Sequence, residues 1–131
     1  MSSNLTPPMD LLGKMKSWTS QLTSVGNNSE LSETEKKDLM QTITQSAVDA
    51  VTKSFSEVSN EVIAEIQAGG ARAQRGNVAL PHVKKAMVHV EGWAKRSKGV
   101  NPGAIMTELL DTLPPLQKAY ELIQTDVHLR K

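Results

Sequence analysis

Seven cations crowd one reach of the chain: Arg72, Arg75, Lys84, Lys85, Lys95, Arg96 and Lys98, against a single acid, Glu91. Residues 69–100 therefore carry +6, whereas residues 30–68, with eight acids and three bases, carry −5, so a formal net charge of +1 conceals a divided chain. Guanidinium and ammonium groups neutralise phosphate, and each contact adds to the salt dependence of binding to a polyanion. The basic segment is thus a candidate nucleic-acid-backbone surface. It would act by charge without readout, because polar side chains suited to base edges are not clustered with these cations, so RNA or DNA would bind without sequence preference. Within it, residues 69–79 hold three glycines and two arginines, which predicts a flexible Gly/Arg loop whose amides could approach an anion. It is not a Walker loop, since G-x-x-x-x-G-K-[ST] is absent and the preceding element reads as a helix. The charge division has a rival meaning: the basic segment of one copy could dock on the acidic segment of another.

Other reactive types fall short of a site. His82 and His89 stand two helical turns apart on one face, a geometry open to a metal pair, but no third ligand is apparent. Glu57, Glu61 and Glu65 follow one another at i, i+4, yet the Glu-x-x-His pattern of bundle di-metal centres is missing. There is no cysteine, hence no disulfide and no thiolate nucleophile. Neither G-x-S-x-G nor H-E-x-x-H occurs. The expectation is a non-enzymatic protein with no catalytic residue, no cofactor and no metal.

The elements that would position the cations are helices. The longest is predicted over about residues 32–68. Ser32 and Glu35 have the S-x-x-E form of a capping box, and Gly69-Gly70 supplies the residues that commonly end a helix. Between them Met40, Ala47, Val48, Val51, Phe55, Val58, Val62 and Ile66 recur at helical spacing, and from Val48 to Val62 the gaps run 3, 4, 3, 4, the heptad period. Such a helix is a rod of about 54 Å, against a radius of gyration of about 14 Å for a compact domain of this length. The overhang predicts an exposed apolar seam, and hence self-association through Val48, Val51, Phe55, Val58 and Val62.

Before the rod, residues 1–5 read as a mobile tail, and Thr6-Pro7 as a cap opening a helix with Leu11, Leu12, Met15, Trp18 and Leu22 inward. Gly13 within it costs roughly 1 kcal/mol against alanine, unless a close neighbour needs the gap. Gly26-Asn27-Asn28 ends it. After the loop, Pro81 is placed near the start of a cationic helix running to about Ser97, with Val83, Met87, Val90 and Ala94 on one face. Asn101-Pro102 opens a short helix built on Ile105, Met106, Leu109, Leu110 and Leu113; Pro114-Pro115 is read as a break; and Leu116, Ala119, Tyr120, Ile123 and Val127 mark a last helix. One Phe, one Tyr and two Trp leave an aliphatic core.

The sum is a single all-α domain over residues 1–131, a bundle of about five helices organised around the long one. No apolar run reaches the ~20 residues of a membrane span, and the first residues lack the pattern of a cleaved signal peptide. A soluble protein of the cytoplasm or a virion is expected. The order of long helix, basic Gly/Arg loop and further helices resembles, as an arrangement only, that of helical viral coat proteins, which implies an assembling protein. The functional expectation is a homo-oligomeric structural protein of coat, scaffold or duplex-binding type. The alternative is a helical adaptor or effector that binds a protein partner without nucleic acid.

Overall fold

The computed structural model describes residues 7–96 and 102–129, with side chains for 7–92 and 103–123; the tail expected over residues 1–5 lies outside them. A 3-10 turn over Pro8–Asp10 leads into four helices: α1 (Leu11–Gly26), α2 (Glu33–Ala68), α3 (Gly70–Arg96) and α4 (Pro102–Leu129). No strand occurs among the described residues. The all-α bundle expected from helical periodicity is what the chain forms, with four α-helices among the described residues instead of about five.

The capping box is complete. The Glu35 amide donates to Ser32 Oγ at 3.1 Å, and the Ser32 amide donates to Glu35 Oε1 at 2.9 Å. After 36 residues the rod ends in one step. Gly69 and Gly70 both have positive φ, 76° and 60°, which lets α3 start immediately after α2 and fold back against it.

Three expectations about element bounds give way to packing. The loop predicted over 69–79 is helix from Gly70 onward, because Arg75, Gly76 and Ala79 are buried against α2 and hold the first turns of α3 in place. Pro81 lies inside α3 and not at its start, on the exposed side of the helix. Pro114 and Pro115 lie inside α4 without ending it. Each proline there removes one helical hydrogen bond, but Leu109, Leu113, Leu116, Ala119 and Ile123 form one unbroken buried stripe through the pair, each at most 1 % exposed. Burying four large aliphatic side chains contributes several kcal/mol, more than two lost bonds.

Two apolar clusters stack along the rod. In the first, Met15 and Leu22 of α1 meet Ala47 and Val51 of α2 and Ile105, Met106, Leu109 and Leu113 of α4. In the second, Val58 and Val62 of α2 meet Ala79, Val83 and Ala86 of α3 and Leu116, Ala119 and Ile123 of α4. Only α2 and α4 give buried residues to both, while α3 reaches the first through half-buried Val90. The start of α1 is pinned midway, where the Met9 amide donates to Gln117 Oε1 at 3.0 Å.

This arrangement corrects the self-association seam. Val51, Val58 and Val62 are wholly buried in the chain's own core, and Val48 and Phe55 pack half-buried at its edge. The physical reason is length. Once α3 includes the expected loop and α4 runs through its prolines, two helices of 27 and 28 residues lie beside the 36-residue rod and cover it.

Candidate interaction surface

Arg72 and Arg75 were the loop cations expected to meet phosphate. In the folded chain both turn back to Glu65. The Arg72 guanidinium Nε donates to Glu65 Oε2, and an Arg75 terminal nitrogen lies 3.6 Å from Glu65 Oε1. The Glu65 and Arg75 side chains are each only 5 % exposed, and that of Arg72 is 45 % exposed. A carboxylate this deep is costly unless opposite charge surrounds it, so both arginines are committed to the α2–α3 corner. Gly76 completes the corner. A Cβ there would stand 2.6 Å from Ile66 Cγ1 and 2.9 Å from the Ile66 backbone nitrogen, distances that only a glycine avoids.

The other expected cations divide. Lys84 and Lys85 are exposed on α3. Lys95 and Arg96 fall in the last turn of α3, with side chains outside the described residues, and Lys98 lies outside them altogether. Of the four whose side chains are described, two are held by Glu65 and two stand exposed on α3.

What the structure presents instead is a mixed stripe. Val78, Pro81, Lys85 and Val88 are all exposed and recur at gaps of 3, 4 and 3. Val78 keeps 57 % and Val88 67 % of its surface in water. This is a heptad register on the face of α3 opposite its buried Ala79, Val83 and Ala86. Beside it an open groove of about 470 Å³ is lined by His82, Lys85, Val88, His89 and Pro115. His89 Nδ1 lies 3.6 Å from Glu108 Oε2 across the α3–α4 contact. Among the described residues no three potential metal ligands come together, and no helix is long and apolar enough to cross a membrane.

Two of these features do not stand out in the sequence periodicity. Glu65 follows Val58 by one heptad, so its place on the buried face was readable, and an inward carboxylate signals a cationic partner. The α3 stripe escaped because the predicted helix began near Pro81, which removed Val78 and broke the register. No known protein family, curated protein or solved structure matches the chain.

Proposed function

We propose that this chain is a non-enzymatic, self-associating structural protein whose contact surface is the outer stripe of α3. The observation that carries this reading is the heptad-spaced exposure of Val78, Pro81, Lys85 and Val88. A lone exposed valine needs no explanation. Apolar residues in register along a solvated helix face match what a second helix would cover, and the aliphatic stem of Lys85 joins them while its ammonium stays at the rim. Light scattering or sedimentation at tens of micromolar tests it. The wild-type chain should run as an oligomer, and Val88→Asp should shift it toward monomer with its helical circular dichroism unchanged. A wild-type chain that stays monomeric overturns the reading.

Contact with a nucleic-acid backbone is the second reading, favoured by the exposure of Lys84 and Lys85, neither of which makes an ion pair among the described residues. With Arg72 and Arg75 committed to Glu65, few cations remain for phosphate, and the valines of the stripe gain nothing there. Retention of mixed-sequence RNA at ~50 mM salt, weakening by ~200 mM, would support it. Absence of retention at the lower salt removes it.

A further inference from the structure

The stripe has a counterpart on the same molecule. Ala50, Ser54, Glu57, Glu61, Ala64 and Ala68 of α2 recur at gaps of 4, 3, 4, 3 and 4. They form a narrow strip along the edge of the core. Ser54 is buried, Ala50, Glu57 and Glu61 are half-buried, and Ala64 and Ala68 are exposed. Neither glutamate makes an ion pair among the described residues.

We infer that the α3 stripe of one copy docks antiparallel on the Ser54–Glu57–Glu61–Ala64 strip of α2 in a second copy. The inference rests on the self-association reading and names the surface that receives the stripe. Three observations meet in it. The spacings correspond step for step: Val88, Lys85, Pro81 and Val78 read backwards have gaps of 3, 4 and 3, and so do Ser54, Glu57, Glu61 and Ala64 read forwards. The sizes are complementary where the strip is open, since branched Val78 falls opposite small, exposed Ala64, while at the other end Val88 rests on the ridge over Ser54, whose own side chain is already buried within its chain. The charges are complementary, with Lys85 opposite Glu57 and Lys84 beside it, within the same acidic-to-basic division that separates residues 30–68 from 69–100.

Alternatives within the chain fail on the same grounds. The stripe cannot serve its own α2, because the opposite face of α3 already packs there. Pairing the stripe antiparallel with its own copy would set Lys85 opposite Pro81, with the Lys84 and Lys85 of both copies within about one helical turn of each other and no acid of the stripe to meet them, a like-charge crowding that opposes association. A contact between two different faces is heterologous, so it repeats, closing into a ring or extending as a filament.

Charge reversal with mixing tests this. Lys84→Glu/Lys85→Glu and Glu57→Lys/Glu61→Lys should each weaken self-association by ~tenfold or more. An equimolar mixture of the two should recover it, because the basic stripe of the second variant meets the acidic strip of the first. Ala64→Arg, at an exposed position, should weaken association without touching a glutamate. If both Glu57→Lys/Glu61→Lys and Ala64→Arg associate like the wild type while Val88→Asp does not, the α2 strip is not the receiving surface and only self-association through α3 stands. Failure of the mixture to recover association also overturns the pairing. A monomeric wild type overturns both readings together.

Discussion

Two glycines in helices of this chain have opposite reasons for being there. At Gly13 a Cβ would meet nothing within 4 Å, so no neighbour needs the gap and the residue only makes the helix more costly to order. At Gly76 the same atom would collide with Ile66 and come within 3.0 Å of the Val62 carbonyl oxygen, because α2 and α3 approach there backbone to backbone. Gly13→Ala should therefore raise stability by up to ~1 kcal/mol, whereas Gly76→Ala should lower it by ~1–3 kcal/mol through overpacking. Urea denaturation of the two variants decides the matter, and a gain at both positions would mean the corner is looser than its geometry. The neighbouring ion triad allows a second test. Arg75→Met should cost ~3 kcal/mol, since it withdraws charge from a buried carboxylate. Adding Glu65→Leu should recover a large part of that loss. If the double variant is as damaged as the single, Arg75 contributes packing and not charge compensation.

At the scale of the helix, the termini decide how much of the chain could be read from its letters. Ser32 and Glu35 were legible because a capping box is local: both hydrogen bonds lie within four residues. The Ser32 backbone amide, and secondarily its hydroxyl, hold the Glu35 carboxyl below its ordinary range. A carboxyl whose folded value is lowered adds stability above its unfolded value, and that contribution is lost as pH falls through the folded value. Comparing urea midpoints from neutral pH down to about pH 3, the wild type should lose more stability than Glu35→Gln, and parallel curves would show that the side chain is idle in the cap. The interior helix signals were less legible. Pro114-Pro115 has the local signature of a break, and Gly69-Gly70-Ala71-Arg72 that of a loop, but both lie where distant residues impose a helix. Leu116 and Ala119 continue the stripe of Leu109 and Leu113, and Glu65 waits for Arg72 and Arg75. Tertiary burial outweighs propensity at these places, and a single sequence carries no record of which segments will be neighbours. The inward heptad of α2 was visible, but whether its cover came from this chain or another depended on those same misjudged lengths.

Across the whole molecule, the division of labour among helices sets how it should unfold. α1 serves only the first cluster, while α2 and α4 give buried residues to both and α3 adds half-buried Val90 to the first. Loss of the first cluster therefore frees half of each long helix, and the second cannot keep three-helix packing over the remainder without fraying. The two clusters should melt as one unit, as small single domains usually do. Trp18 packs against the first cluster, and circular dichroism senses all four helices. With Trp93 replaced by Phe, Trp18 becomes the only indole, so its fluorescence and the helical signal should give coincident transitions. Met15 is fully buried in the first cluster, and Met15→Ala should cost ~2–5 kcal/mol by leaving a cavity. If threading by α2 and α4 couples the clusters, that variant lowers both midpoints equally. An indole transition that precedes the loss of helix would instead mean that α1 detaches alone, leaving α2, α3 and α4 as the cooperative body.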